Sequence, residues 1–479
     1  MIEKYLDSRL LILYIIPFIL GSLTVLSFEP FNIWVINFLV FPVFFYLLVY
    51  IKKKSKSIYR KKPFKKNLFI YGTSFGFGYF LSGIHWISHS LTFDENFKIL
   101  IPLGLILIPL FLSLFFSIFT VLIGPLISLN LNSIFFFSGG LAFFDYLRAK
   151  ILTGFPWNLW AYSVSQFTEI TQILNIIGLF AFNLILITVF TLPSVLFFSK
   201  NFREKFLLLL TIPSLFLLFY IFGSYLINQN LKNLETVKEK YKVKVVSPNF
   251  KLKYGLSYQE LETRLNKLVK FSEPNGNFKT IFVWPEGVFS GYSFDEIIIF
   301  EKIFLNNFNK NHLILFGVNR FDENLNGFYN SMVIVNNKLE ILQEYKKQKL
   351  VPFGEFLPFE KILNSIGLKK ITPGYSSFTK GTGDSIVNLK LESENINFLS
   401  LICYEIIFPS FINKNNIFNF IINISEDAWF GDSIGPHQHF AKAIFRSIES
   451  GVYTIRSANK GISAFISPEG KILKNLQPN

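Results

Sequence analysis

One cysteine, Cys403, stands in 479 residues, inside "LSLICYEIIFPS" (399–410). An apolar run leads to it, and Tyr404 and Glu405 follow before the chain turns apolar again. A lone Cys in such a run is most often a small core hydrophobe. To act as a nucleophile it needs a base or a cation, because a free thiol titrates at about 8.5. Two other stretches end in groups of that kind. Glu286 closes "IFVWPE", and Lys347 lies in "EYKKQKLVPFGEFLP" (344–358). Alone, the first reads as a loop carboxylate and the second as a surface lysine. In combination, Glu can take the thiol proton and Lys can stabilise a thiolate and a tetrahedral oxyanion. The three form an acyl-transfer set that needs no histidine. His437 and His439 of "GPHQH" have neither a neighbouring Cys nor an HExxH pattern, so no metal site and no cofactor are expected.

These groups must be positioned by two halves of different character. The chain is 51% hydrophobic with 60 Phe, and its first half is a series of long apolar runs. A helix crosses the hydrocarbon core with about 20 apolar residues. Seven spans are expected, at roughly 10–26, 33–51, 67–90, 99–127, 132–147, 174–198 and 206–226, the fourth kinked at Pro102 or Pro109. The first lacks a small-residue cleavage site and reads as a retained helix. The net charge of +15 is clumped: "KKKSKSIYRKKPFKK" (52–66) holds nine Lys or Arg, and "KNFREK" (200–205) adds more, whereas "FDEN" (93–96) is acidic. Basic loops stay cytoplasmic, which puts residue 227 outside after seven crossings. Bracketing by apolar spans argues against a nucleic-acid partner for the basic run. A polytopic membrane domain over 1–226 is therefore expected, followed by an extracytoplasmic domain over 227–479.

The second half reads as α/β. Stretches 241–250, 279–286, 312–318, 330–337, 396–405 and 418–425 are short, β-branched or aromatic, and end in turn residues. Leu261, Leu265, Leu268 and Phe271 recur at helical spacing within 257–273, and a second helix is expected near 437–451. Alternating strands and helices predict an α/β sandwich. In such folds functional groups gather where strands end, and Glu286, Lys347 and Cys403 all sit at such ends. The apolar stretches 289–294 ("FSGYSF") and 427–433 ("DAWFGDS") are candidate lids.

"VWPE", "YKKQKLVPFGEFLP", "ICYE" and "DAWFGDSIGPHQH", in that order, resemble the nitrilase, or carbon–nitrogen hydrolase, superfamily. With "DYLRAKILTGFPWNLWAYS" (145–163) in the membrane half, the chain is similar to the apolipoprotein N-acyltransferase family over nearly its whole length. The resemblance implies a nitrilase-like α-β-β-α sandwich after the membrane domain. It makes Glu286 the general base, Lys347 the oxyanion holder and Cys403 the nucleophile. Glu355, Tyr404, Glu405 and Trp429 become supporting residues, and Gly154 and Trp157 of "GFPW" are placed near lipid entry. It implies ping-pong acyl transfer through a Cys403 thioester, from a membrane phospholipid to the N-terminal amine of a diacylated apolipoprotein. A monomer in the bacterial inner membrane is expected, multi-pass, with its catalytic domain on the periplasmic face.

Several positions depart from the family pattern. Glu426 stands where Asn is usual, Gly287 where Thr or Ser is common, Ser247 and Tyr254 near the usual Gln and Trp, and Asp145 where Glu is frequent. Glu426 is expected to add negative charge near the site and raise the pKa of Cys403 or Glu286. The family's closing strand and C-terminal transmembrane helix are expected to be absent from these residues, leaving an unpaired sheet edge. Two rivals stay open on the residues alone. One is a membrane-attached amidase with the same Glu-Lys-Cys set. The other is a non-catalytic transport protein, for which His85, His89 and Asp145 are the intramembrane candidates.

Overall fold

The computed structural model describes residues 8–58, 64–234, 241–324, 326–365, 377–391, 394–412 and 417–477. Residues 59–63 of the basic run lie outside this set. The chain divides into two compact units, one of 1–88 with 99–228 and the other of 89–98 with 229–479. The first boundary lies within two residues of the expected 226/227. The second unit also takes in the ten residues that follow the third expected span.

The first unit is helical: α1 Ile16–Leu23, α2 Asn37–Ile58, α3 Phe64–Ile84, α4 Ile101–Ile123, α5 Leu131–Lys150, α6 Leu174–Thr191 and α7 Phe202–Leu234. Each overlaps one of the seven expected stretches, α1 over less than half of it. Four helical stretches are long and apolar enough to cross a membrane by themselves: Trp34–Lys54, Phe97–Ile123, Leu174–Phe197 and Phe202–Gln229. The apolar stretch Leu11–Ser27 is shorter. Helices α3 and α5 carry Gly, Ser and charged residues that dilute their hydropathy. The small residues serve packing: a Cβ on Gly72 or Gly76 would run into Ser113, Phe116, Ser117 or Thr120 of α4, the close approach that small residues permit between helices in lipid. Pro102 sits in the first turn of α4, where a missing N–H costs nothing, and Pro109 lies inside the helix.

A buried ion pair, Arg148–Asp145, lies among the described residues of this unit. Arg148 donates to Asp145 at 2.9 Å, both side chains almost fully inaccessible, and Asn183 of α6 donates to the other Asp145 oxygen at 3.0 Å. Arg148 also donates to the carbonyls of Phe155 (2.6 Å) and Trp157 (2.8 Å). The polar pair thus closes on itself and staples the non-helical loop after α5. Buried charges are tolerated where each is paired and hydrogen-bonded in this way.

The second unit is a four-layer sandwich. Its first sheet is ordered β1-β2-β3-β4-β5: Lys242–Val245, Thr280–Val283, His312–Asp322, Gly327–Val335 and Ile341–Lys346. Its second runs β11-β10-β9-β8-β7-β6: Ile472–Leu476, Ser463–Ile466, Tyr453–Asn459, Phe420–Glu426, Glu394–Ile402 and Ile386–Leu391. Pairs β1–β2, β2–β3, β7–β8 and β8–β9 are parallel, which needs crossover segments. One crossover is α8, Tyr258–Ser272, opened by a Ser257/Glu260 capping box. Another is α9, Gly435–Ser450, closed by left-handed Gly451.

Strand alternation builds both faces of each sheet. Ile281, Val283, Leu315, Met332 and Ile334 of the first sheet pack with Leu389, Phe398, Ile402, Ile422 and Ile424 of the second. Phe282, Trp284, Ile314, Phe316 and Val333 point the other way, onto Leu261, Leu265 and Leu268 of α8. Phe271, expected on that face of α8, is 46% exposed, and Val269 is buried in its stead. At 100° per residue Phe271 lies about 80° to one side of the Leu261 direction and Val269 about 80° to the other, the side that Leu265 shares. The stretch 289–294 is no lid: Phe289, Tyr292 and Phe294 belong to the core against α8. One edge strand of the second sheet is β11, fully exposed and paired with β10.

Candidate active site

Each expected residue follows a strand. Glu286 comes three residues after β2, Lys347 directly after β5, and Cys403 directly after β7. The two sheets therefore deliver the carboxylate and ammonium from one side and the thiol from the other. Sequence reasoning placed Lys347 after the 330–337 strand; the intervening β5, "ILQEYK", was missed because its residues are mixed polar.

Lys347 is almost wholly buried. Its Nζ lies 2.8 Å from Glu355 Oε1 and 3.5 Å from Glu286 Oε1. Burial alone would pull the ammonium down, but the charges of Glu286 and Glu355 outweigh it and hold it above lysine's ordinary value. Asn330, in the middle of β4, donates to Glu286 Oε1 and to Glu355 Oε1, each at 2.7 Å. It keeps the two carboxylates in register with one cation. Sequence reading missed Asn330; its signal is a single amide inside the apolar strand "GFYNSMVIV". Glu355 Oε2 accepts from Val351 N–H at 2.8 Å, so the loop that supplies it is tied to the pair.

Cys403 is buried and adopts φ +47°, a left-handed conformation unusual for a residue with a Cβ. Burial and then the Glu286 charge push its thiol above its ordinary value, with Lys347 opposing. The group is thus a neutral thiol at rest. Its carbonyl oxygen faces His439 Nε2 at 3.2 Å, and His439 Nδ1 faces Asp427 Oδ1 at 3.0 Å. Asp427 would be raised by burial, but Arg456 (2.7 Å) and His439 hold it well below the usual carboxylate range. His439 therefore belongs to a buried polar network behind the nucleophile turn. Among the described residues no cluster of His, Cys, Asp and Glu is arranged to hold a metal.

Glu405 fastens the two sheets' strand ends together. Its Oε1 accepts from Tyr345 Oη (2.9 Å), Gln348 N–H (2.7 Å) and Lys349 N–H (2.9 Å), and its Oε2 from Ile402 N–H (2.8 Å). Burial pushes its carboxyl up to about 7 against these donors. Tyr404 is partly exposed and meets Phe408 edge-on at 5.1 Å. Trp429 meets Phe93 edge-on at 5.0 Å and Tyr254 at 6.1 Å. Tyr254 is raised by burial and then by the charges of Glu426, Glu286 and Glu355. Gly154 and Trp157 lie in the first unit. Trp157 is buried there, stacked on Phe155 at 5.9 Å and beside Trp86 at 4.8 Å.

Glu426 is buried, and burial raises its carboxyl well above the ordinary value, with Glu286 and Asp427 adding to the rise. Burial thus works against the negative charge expected at this position, while Asn459 and Ala428 N–H donate to the carboxyl. Burial outranks the Glu286 charge as the cause of the Cys403 shift.

An α-β-β-α sandwich that gathers Glu, Lys and Cys at its strand ends is of the carbon–nitrogen hydrolase class, and the Carbon-nitrogen hydrolase family matches residues 262–479. The Apolipoprotein N-acyltransferase N-terminal domain matches residues 20–192. Apolipoprotein N-acyltransferase of Rhodopseudomonas palustris is 30% identical over 96% of this chain and 87% of its own length. That of Rickettsia typhi is 32% identical over 97% and 90%. The chain belongs to the apolipoprotein N-acyltransferase family. Among solved structures, Saccharomyces cerevisiae Nit3 of the nitrilase superfamily is similar over 51% of this chain and 88% of its own, with 18% identity and a TM-score of 0.37.

Proposed function

We propose that this membrane protein is a phospholipid–apolipoprotein N-acyltransferase working through a Cys403 thioester. The observation that carries the reading is the buried Lys347, held between Glu286 and Glu355 and electrostatically coupled to Cys403. As Cys403 Sγ attacks the ester carbonyl of a phospholipid, Glu286 takes the thiol proton. Lys347 faces the oxyanion that develops. The carbon–oxygen bond breaks, the lysophospholipid oxygen recovers the proton from Glu286, and the acyl group stays on sulfur. The α-amine of a diacylglyceryl-cysteine then attacks. Its proton passes to Glu286, the carbon–sulfur bond breaks, and the thiolate takes the proton back. Two modest barriers replace one high one. Because the resting group is a thiol, proton transfer accompanies attack rather than preceding it.

Glu355 keeps Lys347 in place, Glu405 joins the Lys347 and Cys403 strand ends, and Tyr404 and Trp429 line the approach. Gly154 and Trp157 shape the lipid path by packing in the first unit. By the basic-loop bias, the N-terminus lies in the cytoplasm of a bacterial cell and the catalytic unit on the outer face of its inner membrane. The enzyme acts as a monomer without cofactor.

The test is N-acylation of a diacylated lipopeptide by purified protein in phospholipid micelles. Wild type transfers the acyl chain, Cys403→Ala does not, and phospholipid alone leaves an acyl adduct on Cys403 by intact mass. Ammonia release from a small amide without acyl transfer overturns the reading in favour of an amidase.

A further inference from the structure

We propose that Gly287 and Glu426 are a matched pair that seats the general base, the side chain of one filling the space left by the other. The proposal rests on Glu286 being that base. Glu426 caps the short 3-10 turn Asp427–Phe430, its Oε1 accepting from Ala428 N–H at 3.0 Å. Asn, Asp and Ser are the side chains whose length suits a cap. Glu is one methylene longer, and the extra length has to go somewhere. Here it goes against Gly287. A Cβ at 287 would lie 3.0 Å from Glu426 Cγ and Cδ and closer still to Oε2. Asn459 Nδ2 holds the carboxyl in that position, reaching Oε1 at 3.0 Å and Oε2 at 2.8 Å.

The same two residues touch the base. Gly287 follows Glu286 directly, and Glu426 N–H donates to Glu286 Oε2 at 3.1 Å. On the opposite wall, a Cβ on Gly317 of β3 would lie 3.0 Å from Glu286 Cα. The Glu286 backbone therefore sits in a slot with no slack, and any push at 287 moves the carboxylate away from Asn330 and Lys347. The hydrogen bond that Glu426 makes to the base comes from its backbone N–H, and burial raises the Glu426 carboxyl. The groups facing it are Glu286, Asp427, Asn459, Tyr254 and, from α8, Arg264.

The test is a double-mutant cycle of wild type, Gly287→Ser, Glu426→Asn and the double variant, read as acyl transfer and as Tm. Gly287 has φ +76°, so any side chain there carries left-handed strain. That strain is common to both backgrounds and cancels in the cycle. With Glu426 present, Gly287→Ser lowers kcat at least about tenfold with KM for the lipopeptide nearly unchanged. In the Glu426→Asn background, the same substitution costs less than about threefold. Equal losses in the two backgrounds overturn the pairing. If Gly287→Ser does not accumulate folded, Gly287→Ala is read by Tm instead, and its loss must shrink by more than half when Glu426→Asn is added. The Tm cycle judges the pair even if the wild type transfers no acyl chain, an outcome that would count against the functional reading alone.

Discussion

Replacing Lys347 with Met removes the one cation shared by Glu286 and Glu355 while keeping most of the side-chain volume. At 2.8 and 3.5 Å, each attraction comes to roughly 5 kcal/mol at an effective dielectric of about 20. The ammonium's own desolvation offsets much of that. The remaining carboxylates then face each other across Asn330 and relax by sharing a proton, so the net loss should be about 3–5 kcal/mol. For a unit of this size that is a fall in Tm of roughly 10 °C. The pH sign follows. In the variant the folded state holds a proton that the unfolded chain releases above the ordinary carboxylate range. Its stability is greatest in acid and is lost as pH rises. The deficit against wild type should be small near pH 5 and full at pH 8. Adding Glu355→Gln removes one of the opposed carboxylates and should recover more than half of the lost Tm. Acyl transfer stays abolished in both variants. Melting of purified protein from pH 5 to 8 decides the matter. A Tm within 2 °C of wild type at pH 8, or no recovery with Glu355→Gln, would refute the ion-pair account.

Three further outcomes are expected. Iodoacetamide should alkylate Cys403 slowly at pH 7, with a rate still rising past pH 9, since burial and Glu286 both raise the thiol; Glu286→Gln should shift that rise to lower pH while abolishing transfer, and a wild-type plateau below pH 9 would contradict both. Glu405→Gln presents an N–H where a backbone donor needs an acceptor, so kcat should drop about 10–100-fold. A folded-state value of about 7 means wild type loses stability as pH rises from about 4.5 through 7, and in Glu405→Gln that slope should flatten; an unchanged slope in pH-dependent melting would show that another group is responsible. Asp145→Ala strands the Arg148 guanidinium inside the first unit and should cost about 3–5 kcal/mol; folded yield in detergent should collapse and return in Asp145→Leu/Arg148→Met, whereas normal yield of the single variant would rule the pair out as a staple.

Glu286 and Cys403 stood out in the chain as candidates because each ends an apolar run, whereas Lys347 follows the mixed-polar β5 and became a candidate only in combination with them. Asn330 could not, since a single amide within a strand looks the same whether it faces water or a catalytic carboxylate. Strand β9, "YTIRSAN", escaped because Arg456 and Asn459 are buried polar groups whose partners, Asp427 and Glu426, come from a different strand end. The stretch 289–294 was misread as a lid because aromatic content alone does not separate a surface flap from a core; its burial against α8 depends on Phe316 and Trp284 from other strands. The departure at Glu426 was visible in the chain, but its fit to Gly287 was not, because the two residues lie at the strand ends of different sheets, far apart in the chain.

The division of the reactive groups between two sheets also sets a schedule for synthesis. Residues 242–346 can pair into the first sheet and bring Glu286 and Lys347 together before β7 exists. The thiol arrives only when the second sheet closes on the first, through contacts such as Ser457 Oγ to the Val246 carbonyl across 211 positions. Contacts of that separation form slowly. If Cys403 is the nucleophile proposed above, a chain at that stage holds the carboxylate and the ammonium without the thiol and has no group on which to capture an acyl chain. The appearance of reactivity at Cys403 is in this sense a clock for the last step of folding.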